Sequence, residues 1–283
     1  MKSYSRQQVI ERLKRTRDSG RLILATGAGT GISAKFEEAG GSDLILVFNS
    51  GRFRMDGLGS LAGLLAYGDA NALALEMGER HILPVVRETP VICSINGTDP
   101  TRNLASFLAQ ASEAGFSGIN NFPTVGLIDG KFRQALEQVG LGYDKEVALI
   151  ELARARELFT MAYVFDDEQA RKMAGVGCDA IIVHLGLTVG GSIGAFDSLD
   201  IRAAARVVEG ISHALHSVNS PCFLLCHGGP IETPENLREL RELIPVDGFL
   251  GASSIERIPV EAAIQSATAA FASLRSEAKG RTN

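Results

Sequence analysis

Eight times along this chain, a short run rich in Val, Ile, Leu and Phe gives way to a stretch with helical spacing. The runs fall near residues 21–26, 43–49, 90–96, 117–122, 159–165, 179–184, 221–226 and 246–251. Runs that are apolar throughout, rather than alternating, suit strands buried on both faces, as in a parallel sheet covered by helices. Between them, Leu104, Phe107, Leu108 and Ala111 recur at helical spacing, and 201–218 and 234–243 repeat the pattern. Eight β/α units predict an α/β fold closed into a TIM (β/α)8 barrel, with an open doubly wound sheet as the alternative. A barrel of about 250 residues nearly fills the chain, so a single domain is expected. It would comprise an N-terminal helix over 1–20, the barrel over 21–276 and a tail over 277–283. Long connections at 50–89 and 123–158 predict helical insertions after strands two and four. The second should hold helices near 132–137 and 146–155. Pro259 lies in the first turn of a last helix running toward Ser276.

A net charge of −5 argues against a general nucleic-acid binder. The N-terminus is polar, and no apolar run approaches the ~20 residues of a membrane helix. Cys93, Cys178, Cys222 and Cys226 lack zinc spacing. Cys222 and Cys226, on one strand, would stand roughly 13 Å apart, too far for a disulfide. A reduced, cytoplasmic protein is expected, with no membrane partner. Apolar side chains in the insertions (Leu58, Leu61, Leu64, Leu65, Leu149, Ile150 and Leu152) predict a homo-oligomer.

Barrel enzymes place their chemistry at the C-terminal ends of the strands. Those ends here offer Asn49, Asn96, Asn120, Asn121, Asp166, His184, His227, Ser253 and Ser254. Each Asn alone is more often a turn residue bonded to local backbone. Strands seven and eight lead into glycine segments, Cys226-His227-Gly228-Gly229-Pro230 and Gly251-Ala252-Ser253-Ser254. Bare N–H groups beside glycine hold anions, which predicts a phosphate or carboxylate between Gly228-Gly229 and Gly251-Ala252-Ser253. Ser253-x-x-Glu256 has capping-box spacing and would open a short helix there. Asp166, His184 and His227 end neighbouring strands five, six and seven. Two histidines and a carboxylate can hold a divalent metal, or act without one as acid and base. Arg52, in a glycine-bounded loop after strand two, can clamp a carboxylate unless Asp56 takes it. No lysine falls in an expected strand, which disfavours Schiff-base chemistry. The run Gly27-Ala28-Gly29-Thr30-Gly31 has Ile32 where a dinucleotide fingerprint needs glycine, so it reads as an anion-friendly turn presenting Gly27.

Several motifs together resemble a known family: Gly27-Ala28-Gly29-Thr30-Gly31-Ile32, Phe48-Asn49-Ser50-Gly51-Arg52-Phe53-Arg54, Asn120-Asn121-Phe122-Pro123-Thr124-Val125-Gly126, His184-Leu185-Gly186-Leu187-Thr188 and the Cys-His-Gly-Gly-Pro segment. From about residue 10 to 272 the chain resembles the phosphoenolpyruvate hydrolase-like TIM barrels, also described as a signal-transduction domain. A related barrel ends a plant virus-resistance protein. The established phosphonopyruvate hydrolases and phosphoenolpyruvate mutases carry clustered acidic residues for Mg²⁺ and a Glu-Asp-Lys loop, and this chain has no Glu-Asp-Lys. The resemblance implies an enzyme on a small anionic carbonyl compound, cleaving a C–C, C–P or P–O bond. A non-catalytic ligand sensor or partner-binding barrel is the alternative.

Overall fold

The computed structural model describes residues 2–274, so the tail and the expected helix end at Ser276 lie outside the described residues. All eight strands form: β1 (Ile23–Gly27), β2 (Leu44–Val47), β3 (Val91–Ser94), β4 (Gly118–Asn120), β5 (Phe159–Val164), β6 (Ala180–His184), β7 (Phe223–His227) and β8 (Gly248–Gly251). They pair in sequence order, and β8 closes on β1 in parallel. Successive side chains of a strand point to opposite faces. Ile23, Ala25, Leu46, Met161, Ile182 and Leu225 therefore fill the barrel interior. Ile45, Val47, Ile119, Val164, Val183 and Cys226 face the helical layer. Both faces are dry, which is why the runs carry no polar alternation.

The first helix, α1 (Arg6–Asp18), starts on a capping box between Ser5 and Gln8. It closes the barrel bottom with Val9 and Leu13, and Arg6 grips Asp179 at 2.7 Å. α2 (Gly31–Ala39) follows β1. The first insertion carries α3 (Asn49–Met55) and α4 (Ala70–Met77). α5 (Leu104–Ala114) follows β3. The second insertion supplies α6 (Gly130–Gln138) and α7 (Asp144–Arg154), the two helices expected there. α8 (Asp167–Gly175), α9 (Ile201–Ser217) and α10 (Pro234–Leu243) cover the following strands. α11 (Arg257–Ala272) ends the described chain, and Arg257 is its one buried residue.

The segment after β2 departs from expectation. Residues 49–55 are helix rather than loop. Gly51 looks like a loop marker, but a Cβ there would sit 3.0 Å from the Gly29 Cα. Its glycine serves close approach between α3 and the β1–α2 turn, and Arg52 pairs with Asp56 one turn on.

Candidate functional site at the barrel mouth

The register of β6 against β7 sets His184 directly opposite His227. Both lie at the top of the interior face, with ring centroids 4.9 Å apart in an edge contact. Tyr163 rises beside them on β5 through the interior series Phe159, Met161, Tyr163, and meets the two imidazoles at 5.3 and 5.4 Å. Phe165 stacks on His184 at 5.0 Å. Tyr163 and the two imidazoles floor a cavity of about 180 Å³, walled by Phe48, Phe122, Leu61 and Leu64 and covered by Thr188, Ile193 and Ala195 of the β6–α9 connection.

The two imidazoles carry their protons on opposite edges. The Gly186 N–H donates to Nδ1 of His184 at 3.1 Å, so that nitrogen holds a lone pair and Nε2 carries the hydrogen. Nδ1 of His227 lies 2.8 Å from the Leu250 carbonyl, which only accepts, so Nδ1 carries the hydrogen and Nε2 holds the lone pair. Glu37 Oε1 and Ser220 Oγ are the buried side-chain atoms left without a partner among the described residues. The two Nε2 atoms are not among them, and both rings line the cavity. One donor and one acceptor thus open on the same space. Burial drives both imidazoles toward neutrality. The Leu250 bond partly offsets this for His227, which falls to about 4. His184 falls well below its usual value, with the neighbouring ring adding to the effect.

Positive charge reaches the cavity from Arg54, not Arg52. Two residues apart on a helix face nearly opposite ways. Arg52 points outward to Asp56 at 3.1 Å. Arg54 is 2% exposed, bonds Glu256 through Nε at 2.9 Å and the Gly27 carbonyl at 2.8 Å, and lines the cavity. Glu256 also accepts the Gly29 N–H at 2.6 Å. Every oxygen of that buried carboxylate is used, as an ion pair out of water requires. A second cation, Arg257, bonds Glu261 at 2.8 Å and the Gly190 carbonyl at 2.9 Å at the cavity rim.

Other expected site residues have different work. Asp166 is exposed and caps α8 by accepting the Gln169 N–H at 2.8 Å, so it approaches neither histidine. Asn49 ties α3 to the Gly63 carbonyl at 2.7 Å. Asn96 accepts the Thr98 N–H within a turn. Asn120 joins Ser94 to the Met161 carbonyl. Asn121 accepts the Tyr163 N–H at 2.7 Å and donates to the Tyr163 carbonyl, extending the β4–β5 contact past its ladder. Gly228 and Gly229 hold φ of +73° and +57°. A Cβ on them would strike the Gly186 and Leu185 carbonyls at 2.2 and 2.5 Å. The Gly229 N–H is spent on the Gly186 carbonyl, and the pair packs closely against the β6 turn. Ser253 reaches the cavity, but its capping box does not form because Arg54 and Gly29 claim Glu256. Gly251 ends β8 against Ile255, and Ser254 stays off the lining. Tyr163, Arg54 and Phe122 were missed. Strand parity pointed to Tyr163, which shares its face with Phe159 and Met161. For Arg54 the signal required knowing that 49–55 is helical.

A divalent metal does not fit this donor set. Among the described residues no three His, Cys, Asp or Glu side chains converge. No carboxylate lines the mouth cavity, whereas Mg²⁺ takes oxygen ligands. His184 presents N–H, not a lone pair, to the cavity.

The sequence matches the family described as phosphoenolpyruvate hydrolase-like over residues 8–274. It is 48% identical to the ToMV susceptible protein tm-1(GCR26) of Solanum lycopersicum, across 95% of this chain and 36% of that protein. It is 34% identical to "Putative transcriptional regulatory protein y4pA" of Sinorhizobium fredii, across 96% of this chain and 44% of that one. The chain thus spans less than half the length of these relatives. Among solved structures, phosphoenolpyruvate phosphomutase from Streptomyces platensis superposes with a TM-score of 0.61 at 16% identity, covering 93% of this chain and 86% of that one. Phosphonopyruvate hydrolase, solved with oxalate and Mg²⁺, gives 0.58 at 20%, with the same coverage. At these identities the likeness is one of fold.

Proposed function

We propose that this chain, which belongs to the phosphoenolpyruvate hydrolase-like family, is an acid–base enzyme of hydrolase or lyase type acting on a small anionic carbonyl compound. The observation that carries the proposal is the pair of opposite tautomers aimed into one cavity. Cleavage of a C–C, C–P or P–O bond needs a group to take a proton and a donor facing the oxygen where charge develops. His227 Nε2 is the base and His184 Nε2–H the donor. Arg54 supplies a positive edge for a carboxylate or phosphate, and the aromatic walls exclude water. About 180 Å³ admits only a small substrate.

The test is turnover of a panel of short 2-oxo acids and their phospho and phosphono counterparts, followed by NMR. His227→Asn is expected to lower kcat/KM about 10²–10⁴-fold with the fold intact. Full retention of turnover in that variant rejects the reading. Relatives named for virus susceptibility and transcriptional regulation favour a second reading, a ligand sensor. Calorimetric binding of a panel member without turnover by the wild type supports that one.

The chain is also proposed to be a homo-oligomer that pairs through α11. Val260, Ile264 and Phe271 of this helix are exposed. Beside it runs an apolar groove lined by Leu24, Ile32, Phe36, Met55 and Ile255. A lone helix of this length gains little stability without packing, and a second copy presents the matching groove and helix in a two-fold contact. In the insertions, Leu149 and Ile150 are buried in the core and Leu152 packs partly against it. Leu58, Leu61 and Leu65 remain exposed, and Leu61 lines the mouth cavity.

A further inference from the structure

Tyr163 is 2% exposed and meets the His184 imidazole edge-on and the His227 imidazole at a tilt. Its hydroxyl has no hydrogen-bond partner among the described residues, and the side chain lines the cavity. Tyr143 offers the contrast. It is equally buried, and its hydroxyl donates to the Tyr163 carbonyl at 2.5 Å. A phenol withdrawn from water without a partner costs stability, so tyrosines in dry sites normally find one. The Tyr163 main chain is meanwhile fixed on both sides by Asn121, which holds the ring still against the histidines.

We propose that Tyr163 is a catalytic residue whose O–H, together with the His184 Nε2–H, donates to the oxygen that becomes negative when the substrate bond breaks. This rests on the acid–base reading above and adds a second donor to it. His227 Nε2 takes the proton of a substrate hydroxyl or of the attacking water. In lyase-type cleavage the O–H pair becomes the new carbonyl, the C–C bond breaks, and its electrons move through the adjacent carbonyl onto that oxygen. In hydrolysis the water oxygen bonds to the carbonyl carbon and the π pair moves to the same oxygen; the pair then returns, the bond to the leaving carbon breaks with its electrons, and the His227 imidazolium gives that carbon the proton it took from water. No oxidant or reductant enters either route. Burial raises the phenol well above its usual pKa, so it remains a donor across the working pH range. Two fixed donors at an oxyanion are the arrangement from which acyl-transfer sites draw much of their rate.

The experiment compares Tyr163→Phe and Tyr143→Phe in the full chain, using calorimetry with oxalate, a planar enolate-like dianion, together with thermal melts and turnover. Tyr163→Phe is expected to melt at or above the wild-type temperature, because no hydrogen bond within the protein is lost. Tyr143→Phe is expected to melt lower, because a satisfied bond is lost. Oxalate affinity should fall about tenfold or more in Tyr163→Phe, as for a bond to a charged group. kcat should fall about 10–10³-fold with KM changed only a few-fold. Wild-type oxalate affinity and kcat in Tyr163→Phe overturn the proposal, as does a wild type without millimolar affinity for oxalate. His227→Asn separates the two readings: full turnover there fails the acid–base reading, whereas a loss there with unchanged Tyr163→Phe fails Tyr163 alone.

Discussion

Strand parity decides which polar residues reach the barrel mouth. His184 and His227 end β6 and β7 on the interior face, and Tyr163 shares that face on β5. Cys226, one residue from His227, points to the helical layer, where burial lifts its thiol to about 12. A nucleophilic cysteine has no place in the site. The same burial sets the pH response of His227. Its folded value near 4 lies below the unfolded 6.5, so the unfolded chain binds the proton more readily. The stability this provides is present above 6.5 and is lost as pH falls through 6.5 toward 4. A base must be unprotonated, so kcat/KM should hold to about pH 5 and fall through about 4, in samples whose circular dichroism shows them folded. A midpoint near 6.5 contradicts a desolvated His227. The two histidines were legible because they end strands. The role of Asp166 was not, since an acidic residue after a strand reads equally as ligand or as helix cap, and its place here is the cap.

At the scale of elements, the apolar runs gave the barrel order directly, while the glycines were ambiguous. Those at 27–31 and 228–229 read as anion loops, and the structure shows close approach of other backbone at both. A Cβ on Gly29 would stand 2.2 Å from the Gly51 carbonyl, and the Gly29 N–H serves Glu256. Sequence cannot separate a glycine that welcomes a phosphate from one that admits another backbone, because both ask for the missing Cβ. Gly29→Val should therefore push α3 from the β1 turn and disturb the Arg54–Glu256 pair. Strain of this kind typically costs about 1–3 kcal/mol, read as a lower midpoint in chemical denaturation. If Gly29→Val keeps the wild-type midpoint but loses anion affinity, the phosphate-loop reading of this turn is restored.

At the scale of the molecule, one end of the barrel is closed by α1 and the other opens on the histidines, while α11 is left outside the packed layers. Its exposure was invisible in sequence, since the last helix, with Pro259 in its first turn, reads as an ordinary barrel-covering helix. Among the described residues no helix is long and apolar enough to cross a membrane. Light scattering at micromolar concentration should give a mass of at least twice the 30.1 kDa chain. Ile264→Glu with Phe271→Glu should reduce it to one chain, and a wild-type mass of 30.1 kDa removes the proposed pairing. The function assigned to the mouth turns on two neutral imidazoles holding opposite tautomers, which long-range ¹H–¹⁵N correlation on histidine-labelled protein at pH 7 reads directly. His184 should appear as the Nε2–H form and His227 as the Nδ1–H form, both uncharged. The same tautomer on both rings, or an imidazolium at either, contradicts the assignment of base and donor.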